Sequence, residues 1–537
     1  MADFFYRTED IKPEEVGEYF VETKRDREIV NLLKARNPVV LAGSRGVGKS
    51  FLLRVAELEL SKSESDSKVL PVYVSFSRSS LIHTKDPQQF QHWMLARICS
   101  RLYRTLISTG ALTGTVRGIS ILAGGSVPST PSVQTTLDSL IVRYEDSWRS
   151  DPATIDASAV PSIEDFRDAI EDICTDLGLS RVVILIDEAA HILLPEQQRQ
   201  FFTLFRDLRS PYVACKAAVY PGVTSYGDTF QPTHDATMLT LERDILGAEY
   251  VNTMREIVEK QAESSTLADI ARHDKNFTLL AFAANGNPRV LLKTLAKAPK
   301  LSSTETNTVV REYYRSDIWS EHSTLPDKYA GHQQLIDWGR QFIEGTVLPD
   351  LQKKNNQYLE QDKQSTAFFW IHRDAPQSVK EALKLLAYTG IVSEHATGIR
   401  ATRNEIGTRY AVNLGALLSL EASPTNTGLR IARNLAPKRM SEFGANHASY
   451  HTLQAAVPTF VEPEVGAVLK HQLAKSVDVL DITEWQRAKL KEAQLGTVGE
   501  VLLASETKLQ SLSYVGEKRS RRIKNAALAA VFEYLSG

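Results

Sequence analysis

Hydrophobic positions in the first half of the chain follow two alternating patterns. Arg25 to Arg36 carries Ile29, Leu32 and Leu33 at helical spacing. It leads into Pro38-Val39-Val40-Leu41-Ala42, an uninterrupted apolar run of the kind a buried strand needs. A helix is predicted from about Lys49, a strand over Val69 to Phe76 and an amphipathic helix over Gln88 to Leu106. The Gly, Ser, Thr and Pro-rich stretch 109–135 reads as a loop or an insertion with a small hairpin. Strands are predicted over Arg181 to Ile186 and Tyr212 to Val219, each after a helix-period segment. Strands alternating with helices predict an α/β fold with a doubly wound parallel sheet.

After about residue 245 the β-branched runs stop and helical spacing takes over to roughly 350. Residues 365–420 read as helix, turn, helix and hairpin: Ser378 to Tyr388, the break Thr389-Gly390, a strand over Ile391 to Ser393, a polar tip and a strand over Arg409 to Val412. The stretch 421–460, rich in Pro, Asn, Thr and Ala, reads as a linker, and a helical tail broken at Gly496, Gly499 and Gly516 follows from about 476. The expected domains are 1–245, 246–335, 336–420, a linker over 421–475, and 476–537.

At 537 residues, the chain is too long for one ordinary core. A net charge of -2 argues against a polybasic coat protein, so any nucleic-acid site must be a local concentration of charge. Cys99, Cys174 and Cys215 lie far apart and form no paired framework or CxxC knuckle, which fits a reducing compartment and disfavours zinc. The start lacks a basic segment followed by an apolar one, and nowhere do about 18 apolar residues run together. A soluble, cytoplasmic protein without a membrane partner is expected.

Gly43-Ser44-Arg45-Gly46-Val47-Gly48-Lys49-Ser50 matches GxxxxGK[ST] between an apolar strand and a helix. Glycines let the backbone wrap phosphates with its N–H groups, the helix N-terminus adds partial positive charge, and Lys49 reaches the β and γ phosphates. Residues 43–51, ending at Phe51, are thus the candidate ATP-binding set, with Ser50 a magnesium ligand. Val182-Val-Ile-Leu-Ile-Asp187-Glu188 delivers two acids to the carboxyl edge of a sheet, where ligands of open α/β folds bind. Asp187 is the expected second magnesium ligand, and Glu188 the acid that polarises attacking water.

The order of loop, acids, further strand, Gly286-Asn-Pro-Arg289 opening a helix, and winged-helix pattern resembles the AAA+ superfamily. It is most similar to the branch holding the origin-recognition and initiator ATPases and the signalling STAND ATPases, over roughly 15–420. The resemblance implies a P-loop AAA+ sheet, a helical lid and a winged helix. It also implies a sensor arginine at Arg289, a polar sensor at Tyr220 or Thr224, and an arginine finger at Arg206 or Arg209 acting across a homo-oligomer of ATPase domains. Phe20-Val21 resembles the segment that lies against adenine in this branch. Lys380, Lys384, Arg400, Arg403 and Arg409 are the winged-helix cations available to phosphate.

Leu509 to Ala526 resembles a helix-hairpin-helix, with Val515-Gly516 at the turn and Lys518, Arg519, Arg521, Arg522 and Lys524 around it; Trp485 to Ala504 looks like a companion unit. Such all-α units bind DNA through its backbone without reading sequence, and a small protein-interaction domain is the alternative. Three functions are open at this point. The first is an AAA+ or STAND-like ATPase switch that binds or loads on DNA, resembling those of antiphage-defence or mobile-element systems and working with a separate effector subunit. The second is a replication or plasmid initiator. The third, a small-molecule kinase, is disfavoured because no acceptor site accompanies the loop.

Overall fold

The computed structural model describes residues 4–62, 68–79, 82, 87–110, 116–125, 135–147, 155–189, 195–327, 332–453, 473–480, 482–528 and 530. Its first half is built on β1 (Val39–Ala42), β2 (Lys68–Ser75), β3 (Leu179–Asp187), β4 (Val213–Val219) and β5 (Thr237–Thr240), in the spatial order β2-β3-β4-β1-β5. Every pairing is parallel, from Val182 opposite Val213 to Val39 opposite both Lys216 and Thr237. Successive strand residues are apolar because both faces are covered. Val39, Leu41, Val183 and Leu185 pack with the helices Lys24–Lys34 and Lys49–Ser61. Val40, Val182, Ile184 and Ile186 pack with Pro87–Ser108, Ile163–Leu177 and Pro195–Asp207 on the other face.

All four strands expected here are present. The edge strand β5 was not expected, since Thr237-Met-Leu-Thr is short and half polar. Within 109–135 the described residues hold the helix Ile119–Ala123 in place of a small hairpin; 111–115 and 126–134 lie outside the described residues. Lys216, buried in the middle of β4, sends its ammonium to the carbonyls of Leu32, Ala35 and Asn37 and closes the carboxyl end of the first helix. The three cysteines are free and buried.

Helices Tyr250–Glu259, Ser264–Arg272, Asp274–Ala283, Pro288–Lys297 and Ser303–Glu312 form the lid around its central member, which is buried at every position from Asn276 to Ala283. The same core continues through Gln333–Phe342 into a second sheet, so no break in packing falls near 335. That sheet holds β6 (Phe368–His372), β7 (Val392–Arg400), β8 (Ile406–Val412) and β9 (Met440–Phe443) in the order β7-β8-β6-β9. β6, the helix Gln377–Tyr388 and the β7–β8 hairpin make the winged helix, with the strand expected over Ile391 to Ser393 running much further.

β9 pairs in parallel with β6, and the helix Leu429–Arg433 packs in the same core. The expected linker therefore does not begin at 421: its first part completes the winged-helix sheet, while 454–472 lies outside the described residues. Beyond it the helices Glu484–Glu492, Val498–Leu503, Glu506–Gln510 and Glu517–Leu528 enclose their own small core of Val477, Leu490, Val498, Val501, Leu509 and Ile523.

Gly415 marks how tightly the lid and winged helix share their core. A methyl there would lie 2.2 Å from the ring of buried Tyr314, so neither can shift without the other. Gly415→Ala should cost about 1–3 kcal/mol by overpacking and lower the melting temperature. Gly345→Ala, where an added methyl meets nothing within 4 Å, should not. Matched thermal unfolding curves for the two variants would show that the shared core tolerates expansion.

Candidate functional site

Gly43 still pairs with β4 through the carbonyl of Val219, and the chain then turns through Gly46 at φ 83° and Gly48 at φ 106°, backbone states that side chains avoid. Gly48 caps the helix Lys49–Ser61 without a side chain, which leaves its first N–H groups to an anion. A Cβ on Gly48 would meet only the Arg243 guanidinium at 3.9 Å, so the space above this part of the loop is open. Lys49 is buried, and its ammonium donates to the carbonyls of Gly43 at 2.7 Å and Ser44 at 3.1 Å. Burial pulls its pKa down to about 8 against the opposing charges of Glu188 and Asp187.

β4 lies between β1 and β3, so the residue just past its end must sit between the loop and the two acids. That residue is Tyr220. Its hydroxyl donates to both carboxylate oxygens of Glu188, at 3.0 and 3.1 Å, and its ring stands 4.1 Å from the Lys49 ammonium. Glu188 is held at φ 54°, a left-handed backbone state rare for a residue with a side chain. Asp187 is buried, accepting the Tyr73 hydroxyl at 2.6 Å on one oxygen and the Glu188 N–H on the other. Thr224 is not at the site; its hydroxyl bonds back to the Tyr220 carbonyl.

The lid closes over the loop. Asn287 caps the helix Pro288–Lys297 and also donates to the Arg45 carbonyl at 2.7 Å, so one amide ties the lid to the phosphate loop. Arg289 donates through Nε to the Tyr6 carbonyl at 3.0 Å. Arg243 binds the Val47 carbonyl at 2.6 Å and lies near Asp26 and the Gly286 carbonyl. Arg45 pairs with Glu321 at 2.7 Å, and Glu321 also accepts the hydroxyl of Tyr388, whose ring meets Tyr220 edge-on.

Between loop, lid and residues 5–21 lies a cavity of about 130 Å³. Phe20 and Val21 stand in its wall beside Phe51, where the adenine-side segment was expected. Tyr6, Tyr73, Asp26 and Arg243 were missed. Arg243 follows β5, which was not read, and Tyr6 lies in a segment with no periodicity. Tyr73 had a signal, a hydroxyl inside an apolar strand. The lining has the chemistry a nucleotide needs, with Lys49 and the phosphate loop beside the aromatic rings of Tyr6, Tyr19 and Phe20. Ser50 and Asp187 offer the hydroxyl and carboxylate oxygens a hard cation such as magnesium takes.

The finger candidates are placed elsewhere. Arg206 and Arg209 stand before β4 begins, at the edge of the sheet opposite the loop; Arg206 binds Asp207 and the Thr229 carbonyl, while Arg209 is exposed. In the winged helix, Lys384 pairs with Glu381 and Lys380 donates to the Arg373 carbonyl. The expected recognition helix packs on the lid, and its Lys384 carbonyl would lie 2.7 Å from a Cβ at Gly222.

In the tail, the left-handed turn residue is Tyr514 at φ 61°, not Gly516. A Cβ at Gly516 would meet nothing within 4 Å, leaving the start of the basic helix open to close approach. Arg521 is exposed. Arg519 donates to the Tyr514 carbonyl and lies over the Trp485 ring. Lys524 is spent on the carbonyls of Val501, Leu502 and Ala504, ending the second helix of the tail, and Arg522 lies over the ring of Tyr6. The Lys518 side chain lies outside the described residues.

No helix among the described residues is long and apolar enough to cross a membrane. No curated protein sequence matches the chain. Two solved structures with a distant likeness are the Aeropyrum pernix ORC1 protein in complex with DNA and the Aeropyrum pernix ORC2 protein in ADPNP-ADP complexes. The first is 14% identical, with 78% of this chain and 95% of that chain covered at a TM-score of 0.30. The second is 12% identical, with 76% and 91% covered at a TM-score of 0.29. The ORC-CDC6-like family model matches residues 4–373, from the segment before the cavity wall through sheet, loop, acids and lid into the winged helix. Most of its length thus matched, the chain belongs to the ORC-CDC6-like family of origin-recognition-like AAA+ ATPases.

Proposed function

We propose that this protein is an initiator-type switch that binds ATP with magnesium, hydrolyses it, and holds DNA by its backbone. The observation that carries the proposal is the convergence of Lys49, Asp187, Glu188, Tyr220 and Arg289 around one loop and one cavity. Lys49 would exchange the Gly43 and Ser44 carbonyls for phosphate oxygens, and a buried ammonium already favoured by two acids gives up little water in doing so. Ser50 and Asp187 would hold magnesium, which when bound neutralises phosphate charge. Glu188 would polarise the attacking water once its carboxylate turns from the Tyr220 hydroxyl. Arg289 would reach the phosphates from the lid, leaving the Tyr6 carbonyl.

The family match favours the initiator-type alternative over the defence-associated switch with a separate effector. DNA contact is supported by the open approach at Gly516, by exposed Arg521, and by Arg400 and Arg403 on the wing of the second sheet. In a homo-oligomer of ATPase domains, exposed Arg209 is the residue we place against a neighbouring copy.

Lys49→Ala should abolish binding of a fluorescent ATP analogue. Glu188→Gln should keep that binding and slow hydrolysis by about 10²–10⁴, the usual contribution of a positioned acid or base. Parental turnover by Glu188→Gln would remove Glu188 from the chemistry.

Arg521→Glu should weaken duplex DNA binding to a similar degree for unrelated sequences and make the salt dependence shallower, as loss of a phosphate contact requires. An unchanged salt slope would move the DNA contact off the tail.

A further inference from the structure

The basic helix of the tail is docked on the wall of the nucleotide cavity. Asn525, on the helix Glu517–Leu528, donates to the Glu9 carbonyl at 3.2 Å and to the Asp10 carboxylate at 2.9 Å, across a sequence separation of more than five hundred residues. One turn earlier on the same helix, the Arg522 guanidinium lies 5.4 Å from the centre of the Tyr6 ring. Tyr6 is itself a wall residue of the cavity, and its carbonyl is the group that Arg289 holds at 3.0 Å. The lid arginine and the tail arginine therefore grip opposite ends of one residue.

Resting on the function proposed above, we infer that the tail is an autoinhibited DNA-binding unit released by ATP. In the docked arrangement Arg289 secures the Tyr6 carbonyl, and the short helix Thr8–Asp10 that follows is set to receive Asn525. Arg522 then covers an aromatic ring and is not presented to phosphate. When ATP draws Arg289 to its phosphates, Tyr6 loses that tether, the wall from Tyr6 to Asp10 shifts, and the helix undocks with Arg522 turned outward beside Arg521. The nucleotide and the docked tail compete for the position of the same short segment. Thermodynamic linkage makes the effect reciprocal, so loosening the dock must tighten ATP by the factor by which ATP loosens the dock.

Asn525→Ala and Asn525→Asp in the full chain separate these ideas, since Asn525 lines neither the cavity nor the proposed DNA contact. The first deletes the two hydrogen bonds, and the second sets a carboxylate against Asp10 and the Glu9 carbonyl. Affinity for a non-hydrolysable ATP analogue, and for duplex DNA with and without it, would be measured for both variants and the parent. The parent should bind DNA about fivefold or more tightly with the analogue present, within the usual range of such coupling. Both variants should bind DNA without nucleotide nearly as tightly as the parent does with it, and should bind the analogue several-fold more tightly, Asn525→Asp more so. Analogue affinity unchanged in both variants overturns the inference, whatever DNA does. Tighter analogue binding with no DNA binding by any protein in any state supports the dock and its link to nucleotide, and overturns the DNA role proposed above instead.

Discussion

Parallel pairing of β1 with β4, and of β4 with β3, is the constraint from which the site follows. Parallel strands end at a common edge, so the phosphate loop after β1, Tyr220 after β4 and the two acids ending β3 are delivered side by side. The sheet sets their order, and the left-handed turn at Glu188 and the glycine turns at Gly46 and Gly48 set their directions. Buried charge then settles the rest: an ammonium taken from water must find acceptors, and Lys49 finds two carbonyls and two nearby acids.

The lid meets this edge through hydrogen bonds and through packing at Tyr220. Asn287 and Arg289 of the lid reach the loop and the cavity wall by hydrogen bonds, Arg243 after β5 binds the Val47 and Gly286 carbonyls, and Tyr220 joins the continuous core that the lid shares with the winged helix. The lid and winged helix are therefore one packed body, and it meets the sheet domain at Tyr220. The Arg45, Glu321, Tyr388 and Tyr220 contacts give that body a second link to Glu188, through the end of the winged-helix helix.

Much of this was legible in the chain. Long apolar runs gave β1, β3 and β4, and the Gly-Lys-Ser loop needs its strand and helix to make sense, so motif and context agreed. The family resemblance offered Tyr220 or Thr224 as the polar sensor, and of the two it is Tyr220 whose hydroxyl bonds Glu188. What stayed hidden had weak local signals. β5 and β9 are four-residue strands whose stability comes from neighbours far away in sequence, and β9 sits in a stretch whose Pro and Asn content suggests a linker. Charge was the least reliable guide: Lys524 and Arg519 look available for phosphate in a string of cations, yet they are engaged by carbonyls of their own domain. Arg206 and Arg209 follow from order along the chain, and strand direction puts them at the far edge.

The wall of the cavity is made by the beginning of the chain, and its contacts come from far downstream. Phe5 donates to Gln261, Tyr6 accepts from Arg289, and Asp10 accepts from Asn525. A ribosome working at roughly 5–20 residues per second would take ~30–100 s to pass from the first of these segments to the last. During that interval the sheet and phosphate loop can form and Ile11, Val16 and Tyr19 can pack on them, but the contact of Asp10 with Asn525 has yet to be made. The cavity can thus close once Leu292 is made, and a chain cut short before the helix Glu517–Leu528 would emerge with the outer side of that wall unlatched.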